Sequence, residues 1–265
     1  NPVFLLIILI PASAGMMVWI TFLKTSQYLS IFDIIFFMCG RFIFFEVDKI
    51  PDRFDAIVEK TFNFSPNYNI SPGQDLPIII KEEKFNKVKL MRWGLTPFWV
   101  KNLKEFKPFI NIRKESFLSK PHFYRYLKNR RCLIPSNGFY EWKKEEKTKT
   151  PYLITLKDME IFSFAGIFDI YKDEENEIMS FAIITTEPNN KIKKIHDRMP
   201  VILDKEREKI WLDYEYKDYG NLINFLTPFP DDLLDIFEVS NLVNNPENNY
   251  KELILPYKKD KNNLF

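Results

Sequence analysis

The chain has 265 residues, 46% of them hydrophobic, with 38 Lys and Arg set against 36 Asp and Glu for a formal charge of +2. That balance excludes attachment to nucleic acid through a global cationic excess, although a local basic groove remains compatible with it. Two cysteines, Cys39 and Cys132, exclude a disulfide framework and point to a reducing, cytoplasmic setting.

Residues 3–23 carry no charge and are long enough to span a bilayer. Pro11 interrupts them, however, and no basic region precedes them as a secretory signal requires. The expectation is therefore that residues 1–37 form a hydrophobic extension absent from the mature protein, with Met38 as the start; a membrane anchor is the alternative. From there, 38–265 reads as one domain.

Residues 42–45 read as a short apolar strand. In 51–64, Phe54, Ile57, Val58 and Phe62 fall at helical spacing and predict an amphipathic helix. Strands are predicted at 76–80 and 87–93 across a charged turn at 81–84. Residues 96–110, with Pro97 and Pro108, read as a surface loop. One helix is expected after Asn111 and another from Pro121, turning Phe123 and Leu127 inward. Further strands are predicted at 131–134, 138–143, 151–156, 161–168 and 180–186, with a solvated turn at 143–150. A short helix leads to His196, and Asp204 caps another helix holding Ile210, Trp211 and Leu212. Strands and helices without βαβ alternation imply an α+β fold in one domain.

Four stretches could carry chemistry. In Met38-Cys39-Gly40-Arg41, removal of the Met would leave Cys39 with a thiol and an α-amine on adjacent carbons. Such an amine titrates near ~8, so part of it is free to attack an aldehyde at neutral pH. The thiol could then close a thiazolidine; a buried structural cysteine is the plain alternative. Arg92-Trp93-Gly94-Leu95, followed by Trp99 and by Asn111-Ile112-Arg113, mixes aromatic rings with guanidinium groups, a combination that suits single strands as well as ordinary packing. In Gly138-Phe139-Tyr140-Glu141-Trp142, a strand places Glu141 on the same face as Phe139. Burial there would favour a neutral carboxyl suited to proton transfer; a solvent-facing Glu on a half-exposed strand is the alternative. The fourth stretch, His196-Asp197-Arg198-Met199-Pro200, puts His196 at a turn. Cys132, in an apolar strand, reads as core, and His122 as surface.

In order, these motifs join Asn-Ile-Ser-Pro (69–72), Arg-Arg-Cys-Leu-Ile-Pro (130–135), Phe-Ala-Gly-Ile-Phe (164–168) and Ile-Thr-Thr (184–186), and the set resembles the SRAP (SOS response-associated peptidase) family. The resemblance runs from Met38 to Val243-Asn244, with Ile112 where the family usually has Ala. It implies an α+β fold with a mixed, barrel-like β core, peripheral helices and a basic cleft for single-stranded DNA. It also implies a thiazolidine crosslink between Cys39 and the aldehyde of an abasic site, which shields the lesion. By the same resemblance, Asn111 hydrogen-bonds near the reacting centre, Glu141 orients the amine and moves protons, and His196 assists opening of the sugar ring. Arg41, Arg113 and Arg198 would contact phosphates, with Trp93 or Trp99 stacking on bases. The partner implied is single-stranded DNA containing abasic sites, bound by a monomer without metal or other cofactor, and self-cleavage is one route to a free Cys39. Two other readings stay open: a Cys-His amidohydrolase or protease using Cys39 and His196, and a membrane-tethered interaction protein.

Overall fold

The computed structural model describes residues 40–59, 63–146 and 148–257. The expected extension 1–37 and Cys39 lie outside the described residues.

Among the described residues the chain forms fourteen strands: β1 (Arg41–Phe44), β2 (Ala56–Ile57), β3 (Asn67–Ile70), β4 (Asp75–Glu82), β5 (Phe85–Trp93), β6 (Asn111–Arg113), β7 (Arg131–Ser136), β8 (Gly138–Lys144), β9 (Lys149–Leu156), β10 (Phe162–Lys172), β11 (Glu177–Thr186), β12 (Met199–Pro200), β13 (Ile202–Leu203) and β14 (Leu234–Glu238). β4 and β5 pair as a hairpin, β4 pairs with β7, β7 with β10, and β10 with β11. A parallel pairing of β11 with β5, Ser180 opposite Arg92 and Phe181 opposite Trp93, closes these five strands into a barrel. Closure removes the unpaired edges that an open sheet would expose.

A second sheet, in the order β14-β9-β8-β1-β3, packs beside the barrel. Phe42 and Phe139 from this sheet meet Phe164 of the barrel with ring centroids 5.7 and 5.9 Å apart. Because side chains alternate along a strand, the intervening Ile43 and Tyr140 face the other way, into a smaller core with Val239, Val243 and Leu253. β1 is thus buried on both faces, and each fully buried Phe contributes about 1.5–3 kcal/mol of transfer free energy. At Gly138 an added Cβ would lie 2.8 Å from the Ile154 carbonyl oxygen, so only glycine lets β8 start this close to β9.

The helices are short: α1 (Ile50–Phe54), α2 (Ser116–Ser119), α3 (Pro121–Tyr124), α4 (Tyr126–Asn129), α5 (Lys205–Leu212) and α6 (Tyr219–Asn224). Asp204 caps α5 by accepting from the Arg207 N–H at 2.9 Å, as expected. Two predicted helices differ. The one over 51–64 stops after a single turn, because Asp55 takes a left-handed conformation (φ 47°) and β2 then pairs with β5; Ile57 is left half exposed, and Phe62 lies outside the described residues. The segment from Asn111 is a strand, held parallel to β11, and its helix starts only at Ser116. Tertiary pairing overrides local periodicity at both places. No helix among the described residues is long and apolar enough to cross a membrane.

Candidate functional site

Four of the sequence motifs meet at the start of β1. Arg41 lies opposite Tyr140 in the antiparallel pair of β1 and β8, so Glu141 is the next residue along β8 towards the chain preceding β1. Gly40 is buried, and Glu141 is only 1% exposed. The Arg41 guanidinium donates from Nη1 to Oδ1 of Asn69 at 2.6 Å and to the Val243 carbonyl at 3.1 Å, and from Nη2 to the Asn244 carbonyl at 3.4 Å. Asn69 in turn donates from Nδ2 to the carbonyls of Val243, Asn245 and Asn248. Trp142 donates its indole N–H to Oδ1 of Asn244 at 2.7 Å. Burial lowers the Arg41 pKa from its ordinary value and pushes that of Tyr140 up; the Tyr140 hydroxyl donates to the Tyr68 carbonyl.

A second group forms along β6 and β11. Asn111, Ile112 and Arg113 run parallel to Ile183, Ile184 and Thr185. Arg113 is exposed at the end of β6. The Thr185 carbonyl accepts the Lys114 N–H at 2.9 Å and Nη2 of Arg198 at 2.7 Å. Arg198, 9% exposed, makes a two-pronged pair with Glu115, Nη1 to Oε1 at 2.8 Å and Nη2 to Oε2 at 2.9 Å. Its main-chain N–H donates to Nδ1 of His196 at 3.2 Å, and that same nitrogen lies 3.0 Å from Oδ1 of Asp197. A backbone N–H and a carboxylate oxygen thus converge on the same ring nitrogen. Partial burial works against ionisation of Glu115, but the hydrogen bond and charge of Arg198 hold its pKa below the ordinary value. Partial burial likewise opposes ionisation of Glu187, yet hydrogen bonds from Lys114 and Thr186 bring it down to about 2.

Trp93 corrects the sequence reading. It is 1% exposed, donates its indole N–H to the Ile110 carbonyl at 2.9 Å, stacks on Phe181 and meets Phe42 edge-on at 5.1 Å. A ring packed in this way offers no platform to a base; it joins β1 to the residue before Asn111. Trp99 is 43% exposed, with edge contacts to Phe106 and His122. Its neighbour Phe98 lies under the Arg125 guanidinium, 4.0 Å from the ring centre. Buried Asp169 anchors this loop by accepting the Phe98 N–H at 3.0 Å and the Tyr126 hydroxyl at 2.7 Å.

The structure thus brings Arg41 beside Glu141's strand and His196 beside Arg198, and holds Arg41 and Arg198 in contacts within the protein. Sequence reasoning missed Glu115, Asp169 and the role of Asn69. A signal for Glu115 existed: it is the one acidic residue between Glu105 and Glu141, within a run rich in Lys and Arg. Cys132 is buried as expected, and burial raises its thiol pKa. Among the described residues, no three His, Cys, Asp or Glu side chains gather where they could hold a metal ion.

The α+β fold, a barrel flanked by a second sheet, is shared with known proteins. Residues 38–246 match the family described as SOS response associated peptidase (SRAP), and the chain belongs to that family. It is 42% identical over 222 residues to the abasic site processing protein YoqW of Bacillus subtilis, covering 82% of this chain and 99% of that one. It is also 28% identical over 247 residues to the abasic site processing protein HMCES of Xenopus tropicalis, covering 80% and 72%. A crystal structure of a protein from Bacteroides thetaiotaomicron, 28% identical, superposes with a TM-score of 0.71 over 83% of this chain and 98% of that one.

Proposed function

We propose that this protein processes abasic sites by binding single-stranded DNA and capturing the ring-opened sugar aldehyde through Cys39. The observation that carries the reading is the buried carboxylate of Glu141, one register step beyond the Arg41–Tyr140 pair. That step lies towards the Gly40 end of β1. The proposal requires Cys39 to be the first residue of the acting protein, since an amide nitrogen cannot form the imine.

The free α-amine attacks the aldehyde carbon and gives a carbinolamine. Glu141 takes a proton from the nitrogen and returns one to the departing hydroxyl, so one water leaves and an imine forms. The Cys39 thiol then adds across the imine: sulfur bonds to carbon, the thiol proton ends on nitrogen, and a thiazolidine closes. His196 assists the earlier opening of the sugar ring, and Asn111 hydrogen-bonds near the reacting centre. Exposed Arg113 meets a phosphate and exposed Trp99 stacks on a base.

The test is incubation of the protein beginning at Met38, with its Met removed, with abasic single-stranded DNA, followed by a denaturing gel. A covalent adduct that is lost in Cys39→Ala is expected; no adduct, or one that survives the substitution, sinks the reading. The family description, which names a peptidase, favours a second reading in which Cys39 and His196 hydrolyse amides. Acetylating the α-amine separates the two, because it abolishes the crosslink and spares a thiol hydrolase.

A further inference from the structure

We infer that the absent side chain of Gly40 is a working part of the site: the room it leaves beside Glu141 is the pocket that takes the ring-opened abasic sugar. The inference rests on the function proposed above and names the space in which that chemistry takes place.

The register supplies the geometry. Arg41 lies opposite Tyr140 and Phe42 opposite Phe139, so one further step of the same ladder sets Gly40 opposite Glu141. Directly opposed residues of an antiparallel pair point to the same face, with Cβ atoms about 4.5–5.5 Å apart. Alternation then divides the two strands between the two sides of the sheet. Arg41 and Tyr140 turn to the smaller core, where Asn69 and the Val243 carbonyl hold the first and the Tyr68 carbonyl holds the second. Phe42 and Phe139 turn to the barrel and fill that side with two rings packed on Phe164. The next pair on the barrel side is Gly40 with Glu141, a carboxylate on one strand and no side chain on the other.

Gly138, in the same two strands, is glycine for a different reason. An added Cβ there would meet the Ile154 carbonyl oxygen at 2.8 Å, so β9 already occupies the space. At Gly40 the ladder on the far flank is over, because β3 ends at Ile70, the partner of Phe42. The segment carrying Asn111 borders the barrel-facing side, since Trp93 packs edge-on against Phe42 and donates to the Ile110 carbonyl. Glu141 is 1% exposed, so a reacting carbon reaches its carboxylate through a gap between neighbouring groups. Glycine is the residue that lets a ligand come close to the backbone, and Gly40 is bonded directly to Cys39, whose amine and thiol must both meet that carbon.

The experiment compares the protein beginning at Cys39 with its Gly40→Ala and Gly40→Val variants, mass spectrometry confirming the free terminus of each. Three quantities are measured: the maximal rate of crosslinking to abasic single-stranded DNA, the rate of thiazolidine formation with formaldehyde, and affinity for the same strand without a lesion. Formaldehyde needs no room beyond the terminus itself. Gly40→Ala should slow crosslinking about tenfold or more, the scale of one surplus methylene in a fitted pocket, and Gly40→Val further still. The formaldehyde reaction and the affinity for intact DNA should be unchanged; the alanine variant serves if the valine variant fails to fold. Crosslinking at the unsubstituted rate in both variants overturns the inference. So does an equal loss with formaldehyde, which would assign the glycine to the conformation of the terminus, or a loss of affinity that accounts for the whole loss of rate. If the unsubstituted protein forms no adduct with abasic DNA, the proposed function fails and the inference falls with it; an adduct indifferent to residue 40 removes the inference alone.

Discussion

Arg41 and Asn69, 28 positions apart, are joined by a 2.6 Å hydrogen bond from Nη1 to Oδ1, and Asn69 carries that restraint on to three carbonyls of 243–248. One side chain therefore ties the start of β1 to a distant loop. Asn69→Ala would leave Arg41 and several buried carbonyls without this partner. The expected cost is about 2–3 kcal/mol in urea unfolding, with amide exchange rising first in 241–248. An unchanged midpoint would remove Asn69 from the frame of the site.

Trp93 and Trp99 should respond in opposite ways. Trp93→Ala empties a packed core position and should cost about 3–5 kcal/mol of stability. Trp99→Ala should leave the unfolding midpoint nearly unmoved and weaken binding of a single strand by about 1–3 kcal/mol, the worth of one stacked base. Thermal melts and fluorescence anisotropy on both variants check the pair.

The two cysteines make a similar contrast. Cys132 is buried with its thiol pKa raised, so a water-soluble alkylating reagent should pass it by in the folded protein. Cys132→Ala should keep the crosslinking activity that Cys39→Ala loses, as read on the denaturing gel.

Acid stability should depend on Glu187. Its pKa is depressed to about 2 in the folded state, where Lys114 and Thr186 bond it, against ~4.3 when unfolded. The stabilisation is complete above about pH 4.3 and disappears as pH falls towards 2. Because the side chain is 51% exposed, screening should keep its worth below about 1 kcal/mol. Glu187→Gln should therefore flatten the fall in urea midpoint between pH 4.3 and 2 slightly, leaving the difference between pH 6 and 8 unchanged.

The Asp169 anchor offers a test of the loop. Tyr126→Phe removes a buried hydroxyl that donates to Asp169 at 2.7 Å. About 1–2 kcal/mol should be lost, together with faster quenching of Trp99 fluorescence as the loop loosens.

Much of this was legible in the sequence. Strands 76–80, 87–93 and 180–186 and the cap at Asp204 follow from local alternation and from one side-chain oxygen, information that adjacent residues carry. Of the two readings open for Glu141, the buried one that shares a face with Phe139 is the one the structure has. The order of the motifs identified the family and pointed to Cys39, Asn111, Glu141 and His196. What tertiary structure decided are the partners. The Asn111 segment is a strand because β11 offers it a ladder; Trp93 is core because β5 closes against β11. Glu115 reaches Arg198 across 83 positions. A sequence states what each residue can do over a few neighbours, whereas a pairing across the fold depends on which surfaces are brought together, and that is a property of the whole chain.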